Sequence, residues 1–336
     1  MQIHIMRKGE TIDDLCRLYS VCKSDIIEAN ELGYNAKLSE GENVIIPGKY
    51  FYYFKPAEES FDDVLKKFHI SKEDLYLHNE TPLSFKDGSV RLKMEFKRKD
   101  SEVYSLVDLS MNSKAFIEAD LESKYLTGML GYNCIGNDSD KFYFEDYYLK
   151  KIHDIDRLCV SPVISNLRYE KYDFLIEYIE NIIDGKYYLD VTLYYDITEI
   201  DIEYLFELLS ERKIKSNFIL DFYLLEKVLK DDKFIDILNK NANKVFILPN
   251  FINDYKYTSS REYYMFLNKL KKFDKDKVSV GLNLNYSYKE DIINIMKKVE
   301  FIYDLDFKSI VLFACGNRFF KMGYVLNYFF NIKKGL

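Results

Sequence analysis

Three carboxylates each close a short apolar run: Glu118 after Ala115-Phe116-Ile117, Asp196 on Asp190-Val191-Thr192-Leu193-Tyr194-Tyr195-Asp196, and Asp221 after Asn217–Leu220. Carboxylates gathered at one cleft are what glycoside hydrolysis requires, one as acid and the other as base or nucleophile. Asp196 and Asp221 are candidates for such catalytic roles. The plainer reading makes Glu118 and Asp221 helix caps or loop anchors. Tyr194 lies two residues before Asp196, hence on the same side of a strand. Asn250 follows Leu248-Pro249 at the end of another run, and Glu118 could join Asp196 and Asp221 at one mouth. His4, His69, His78 and His153 all lie off these runs and form no triad or metal cluster. The five Cys are scattered without a C-x-x-C pair, so neither a disulfide framework nor a metal site is predicted. No G-x-G-x-x-G or P-loop is present, and no cofactor is expected.

The elements that would position these residues alternate in type. Candidate strands are 115–118, 126–133, 158–165, 188–196, 217–222, 245–249, 278–284 and 310–314. Amphipathic helical stretches lie between most of them, such as Ile202, Leu205, Phe206, Leu208 and Leu209. About eight βα units predict an α/β fold, a (β/α)8 TIM barrel over 114–336. A doubly wound open sheet is the competing architecture. The charged stretch from Glu95 to Asp100 marks a connector, taken as 96–113.

The N-terminal part is a duplication. Gly9-Glu10-Thr11-Ile12-Asp13-Asp14-Leu15 is echoed by Glu58-Glu59-Ser60-Phe61-Asp62-Asp63-Val64, Asp25-Ile26 by Asp74-Leu75, and Asn30-Glu31 by Asn79-Glu80, all at one spacing. In each copy a strand leads to a capped helix, a second helix and a closing strand. Thr11 is the predicted cap, Ser24 or Asp25 the start of the second helix, and Gly41 a turn before Val44-Ile45-Ile46. The modules are placed at 1–48 and 51–95.

The first copy resembles a LysM module nearly end to end. The resemblance implies binding of N-acetylglucosamine glycans, as in peptidoglycan or chitin. The groove would lie between Gly9, Glu10, Thr11 and Ile12 on one loop and Asn30, Glu31 and Leu32 on another. The second copy departs from the pattern: Glu58 stands in place of glycine, and Lys55-Pro56 distorts the approach to the helix. Its weaker candidates are Ser60, Phe61, Asn79 and Glu80. A small adaptor that binds nothing is the alternative for both copies.

The barrel region resembles family-18 glycoside hydrolases, chiefly spore cortex-lytic N-acetylglucosaminidases with paired LysM modules. Ala115–Ala119 is similar to their first strand, Leu126–Asn133 to the second, Ser161–Asn166 to the third and Val280–Leu284 to the seventh. The family's fourth strand carries D-x-x-D-x-D-x-E, whose Glu is the acid. Here Asp196 falls at that Glu and Tyr194 at the preceding Asp, no Glu lies on the run, and Leu248-Pro249-Asn250 takes the place of the family's sixth-strand Met and Tyr, which implies Tyr194 and Asn250 at the mouth. Trp, which the family places on its last strand, is absent from the chain. The resemblance thus implies a pseudoenzyme barrel.

Of 336 residues, 48 % are hydrophobic and 31 % charged, as in a soluble globular protein. A net charge of −7 and interspersed charges argue against a nucleic-acid partner. No apolar run is long enough for membrane insertion. The N-terminus lacks a secretory leader, so synthesis in a cytoplasm is expected. By resemblance the chain would be deposited on the coat or cortex of an endospore. Three functions follow: a peptidoglycan-binding spore protein with an inactive barrel, a cortex-lytic N-acetylglucosaminidase using Asp196, or a structural component partnered by spore-coat proteins.

Overall fold

The computed structural model describes residues 2–30, 32–48, 50–79, 90–95, 97–108, 128–138, 141–143, 158–164, 173, 176, 191–193, 202–213, 216–220, 222–249, 258–283, 292–313 and 319–332. The chain divides into two compact units, one holding Met1–Lys99 with Phe319–Asn331, the other Asp100–Arg318 with Ile332–Leu336.

The first unit contains both repeats. In the first, β1 (Gln2–Ile5) leads to α1 (Ile12–Tyr19), α2 (Lys23–Ala29) and β2 (Asn43–Ile46). β1 and β2 pair antiparallel, Ile3 opposite Ile45. α1 starts where Thr11 and Asp14 form a reciprocal capping box, with Asp13 and Asp14 in the positive first turn. It stops where Ser20 turns left-handed at φ 54°. α2 begins at Lys23, just ahead of the predicted Ser24, and Cys22 at its cap makes no side-chain bond. Gly41 supplies the turn before β2 at φ +85°. Met6, Ile12, Leu15, Ile26, Val44 and Ile46 form the small core.

The second repeat reproduces this frame with β3 (Tyr50–Lys55), α3 (Phe61–Phe68), α4 (Lys72–His78) and β4 (Val90–Glu95). β3 and β4 pair antiparallel, Tyr53 opposite Leu92. Ser60 and Asp63 cap α3, Ser71 and Asp74 cap α4, and His69 ends α3 at φ 52°. The repeats touch through Arg91, which donates to the Leu18 carbonyl at 2.8 Å and lies 4.2 Å from the Tyr52 ring centroid. The Tyr52 amide also donates to Gln2 Oε1 at 3.1 Å.

The second unit is a closed parallel barrel. Its staves are β5 (Lys99–Asp108), β6 (Gly128–Asp138), β8 (Leu158–Ile164), β9 (Val191–Leu193), β10 (Ser216–Leu220), β11 (Lys244–Ile247), β12 (Val278–Asn283) and β13 (Ser309–Phe313). A short strand β7 (Lys141–Tyr143) folds back antiparallel on β6. Each stave pairs in parallel with the next, and β5 pairs with both β13 and β6, which closes the ring. The fold is α/β, a (β/α)8 barrel preceded by two βααβ modules, and the open-sheet alternative falls because no stave is left as an edge. Described helices of the second unit are α5 (Ile202–Glu211), α6 (Phe222–Val228), α7 (Asp232–Asn241), α8 (Ser260–Lys269) and α9 (Ile292–Asp304). A last helix, α10 (Phe319–Phe329), groups with the first unit, where Tyr328 packs edge-on against Phe51 at 6.4 Å.

The first stave differs from the sequence reading. β5 runs through the stretch assigned to a connector, while 115–118, the expected first strand, lies outside the described residues. The cause is polarity inside the barrel. Glu102, Tyr104 and Leu106 share one parity, and Tyr104 and Leu106 join Ile219, Phe246, Leu248, Val311 and Phe313 in the core. Glu102 occupies the layer below, where it pairs with Lys244 Nζ at 2.6 Å and accepts from Tyr104 hydroxyl at 3.2 Å. A strand with polar inward positions at one end does not read as an apolar run.

Gly281 is required in β12. A Cβ there would lie 2.8 Å from the Ile247 carbonyl oxygen and 2.9 Å from Leu248 Cα. Its own carbonyl accepts from the buried Tyr263 hydroxyl at 2.8 Å.

Candidate functional site

The barrel-mouth candidates Glu118, Tyr194, Asp196, Asp221 and Asn250 all lie outside the described residues, as do Glu31 and Glu80. Among the described residues, the candidate site comprises the loop after the first strand of each N-terminal module, with Asn30, Leu32 and Asn79 after the second helices.

In the first module, the chain leaves β1 through Met6-Arg7-Lys8-Gly9-Glu10. The Glu10 amide donates to the Arg7 carbonyl at 3.1 Å, closing a turn, and Gly9 takes φ +77°. Nothing lies within 4 Å of where a Cβ on Gly9 would sit, so the turn faces open space. The Glu10 carboxylate points back under the loop. Its Oε2 accepts from the Arg7 amide at 2.9 Å and contacts His4 Nε2 at 2.7 Å. Because a carboxylate only accepts, Nε2 carries the proton, and Nδ1 of a neutral ring accepts from Tyr19 hydroxyl at 2.8 Å. The Arg7 amide foremost, and then His4, hold the Glu10 carboxyl below its ordinary range against the opposing effect of burial. Burial pushes the Tyr19 phenol up.

The other predicted residues take different places. Thr11 is the helix cap: its hydroxyl donates to Asp14 Oδ2 at 2.6 Å while its Oγ1 accepts from the Asp14 amide at 3.3 Å. The Ile12 side chain turns into the core, and Leu32 packs against that core. Asn30 is buried, and its amide group is committed to backbone: Nδ2 donates to the Ile26 and Ile45 carbonyls and Oδ1 accepts from the Ile45 amide, each at 2.8 Å. What this module offers outward is therefore backbone around Gly9 and Glu10. Tyr34, on the loop after α2, is 77 % exposed and was not singled out from sequence. Lys23 Nζ sits 5.9 Å from its ring centroid and pairs with Asp13 at 3.0 Å.

The second module keeps the frame and changes the floor. Asn79 repeats the clamp, donating to the Leu75 and Lys93 carbonyls at 2.7 Å and accepting from the Lys93 amide at 2.8 Å. Ser60 caps α3. Lys55 stands where the first module has Met6 and is just as buried. Its Nζ donates to the Pro56 carbonyl at 2.8 Å and the Glu59 carbonyl at 2.7 Å, and lies 5.3 Å from the Phe61 ring centroid. A groove of about 400 Å³ adjoins this loop, lined by residues that include Lys55, Glu58, Glu59, Phe61 and Lys72. Two carbonyls of the loop thus already have a donor from within the protein.

No protein-family model matches the chain, and no curated protein matches it in sequence. Solved structures match along its whole length. The spore cortex-lytic enzyme SleL of Bacillus megaterium QM B1551 superposes with a TM-score of 0.72 at 15 % identity, over 99 % of this chain and 99 % of that one. The spore cortex-lytic enzyme SleL of Bacillus cereus does so with a TM-score of 0.70 at 13 % identity, over 100 % of both chains. At such identity the likeness is one of fold, and it spans both modules and the barrel.

Proposed function

We propose that this chain is a peptidoglycan-binding protein of the endospore, anchored through its first module, with a barrel that does not hydrolyse glycan. The observation that carries the binding part is the outward-facing Gly9–Glu10 turn, whose backbone is free of side-chain cover on the Gly9 side. Acetamido groups are recognised by such backbone donors and acceptors. The full-length fold likeness to two enzymes named as cortex-lytic supports the spore setting. The absence of any Glu from Asp190 to Asp196 supports the inactive barrel.

Among the described residues no helix is long and apolar enough to cross a membrane. The second module contributes less, since Lys55 occupies carbonyls of its loop. The second reading, an N-acetylglucosaminidase using Asp196 as a shortened acid, is favoured by the same fold likeness.

The deciding measurement is release of reducing ends from purified spore peptidoglycan by the wild type and Asp196→Asn, beside co-sedimentation of both with that polymer. Sedimentation without release supports the proposal. Release that disappears with Asp196→Asn makes the chain a hydrolase, and failure to sediment removes the binding role.

A further inference from the structure

The LysM resemblance implies that Glu10 touches the glycan. The structure shows its carboxylate turned the other way, under the loop, against the Arg7 amide and His4. The same construction recurs in the second module with a different ring. Tyr53 occupies the place of His4, and its hydroxyl donates to Glu59 Oε2 at 2.5 Å. Lys67 Nζ backs this contact, donating to Tyr53 hydroxyl at 2.8 Å and reaching Glu59 Oε1 at 3.4 Å. Two copies of a module have thus kept a glutamate at the foot of the loop and a ring on the first strand to hold it. They have done so with an imidazole in one case and a phenol in the other.

We infer that His4 and Glu10 are positioning residues of the first module, a strut that sets the Arg7–Glu10 turn for glycan binding without touching the glycan. The inference rests on the binding role proposed above. His4 cannot meet a ligand, being 7 % exposed with both ring nitrogens engaged. Glu10 exposes 16 % of its side chain, and Oε2 already serves two donors. Without the strut, the turn keeps the Glu10 amide bond to Arg7 but loses the carboxylate that fixes the Arg7 amide from below. A loop so released must be ordered again on binding, at the expense of affinity.

The test uses the full chain and an N-acetylglucosamine oligosaccharide as probe. Binding is read by titration calorimetry, and the free protein's Arg7 amide by hydrogen-exchange protection. His4→Phe keeps a ring but has no polar atom. It should weaken binding about tenfold, the scale of one charge-assisted hydrogen bond, and should remove Arg7 protection. His4→Tyr imports the second module's solution and should restore both readouts. A residue that merely stabilises the fold would lower protection throughout the module, not at the turn alone. Should His4→Phe prove unfolded, Glu10→Ala removes the acceptor itself and reads the same loss at the same amide. Wild-type affinity with retained Arg7 protection in His4→Phe would overturn the strut. If the wild type binds no oligosaccharide while Arg7 protection still depends on His4, the binding role fails and the strut stands as a structural brace only.

Discussion

Asn30 grips Ile45 from across the first module, its Oδ1 accepting from the Ile45 amide and its Nδ2 donating to the Ile45 carbonyl, both at 2.8 Å. One side chain thereby closes both backbone groups of a residue in β2, and ties that strand to the end of α2 through Ile26. Asn30→Ala would leave the buried Ile45 amide and carbonyl without partners, which costs about 2–4 kcal/mol in total. Asn79→Ala should act in the same direction in the second module, where Lys93 takes the place of Ile45. Hydrogen exchange at the Ile45 and Lys93 amides checks each module separately.

Gly9→Glu copies Glu58 of the second module into the first. The site has room, but φ +77° is a region that L side chains enter at a cost of about 1 kcal/mol. The substituted side chain would also stand on the rim proposed to meet sugar. The expected result is weaker peptidoglycan sedimentation with a melting temperature of the first unit lowered by only about 4–8 °C.

Acid should release the first module's turn. The folded state depresses the Glu10 pKa, so its contribution is present at and above the ordinary glutamate value of 4.5. That contribution is lost as pH falls through the lowered folded value. Oligosaccharide binding should therefore persist down to pH 4.5 and decline only below it, whereas Glu10→Gln, whose amide oxygen still accepts but does not titrate, should lack that decline. Calorimetric titration across an acidic pH series reads the difference.

Gly281→Ala should destabilise the barrel. A methyl group 2.8 Å from the Ile247 carbonyl oxygen and 2.9 Å from Leu248 Cα meets backbone that no rotamer change can move, so the staves must shift. Overpacking of this kind costs about 1–3 kcal/mol. Tyr263→Phe should cost about 1 kcal/mol through the lost bond to the Gly281 carbonyl. Denaturant melts of the two variants, read by exchange protection in β12, test both figures.

Arg91→Ala should loosen the two modules from each other while leaving each folded. It removes the bond to the Leu18 carbonyl and the stacking on Tyr52. The Gln2–Tyr52 bond would remain. Residual dipolar couplings from the two modules should fit one alignment frame in the wild type and two in the variant.

The repeat was legible because it is written in short-range chemistry. Thr11 with Asp14 and Ser60 with Asp63 mark helix starts by spacing alone, and the structure has capping boxes at both. The role of Asn30 was not legible, since direction is set by packing: its side chain faces β2. The barrel was read from alternating apolar runs, and seven of its eight staves overlap those runs. β5 escaped because Ser101, Glu102 and Ser105 give it a polar texture that only closure of the ring explains. His4 and Tyr19 escaped because their meeting is a tertiary contact between β1 and α1.

The exchange of Met6 for Lys55 has a consequence for any attempt to graft one module's loop onto the other. A buried ammonium is tolerated in the second copy only because the Pro56 and Glu59 carbonyls turn toward it. Lysine at position 6 would meet the thioether's old apolar surroundings, and methionine at position 55 would take the donor from the Glu59 carbonyl, while the Pro56 carbonyl would keep its bond from the Glu59 amide. Strand end and loop therefore travel as one cassette, and a chimera that moves either alone carries an internal mismatch from the outset.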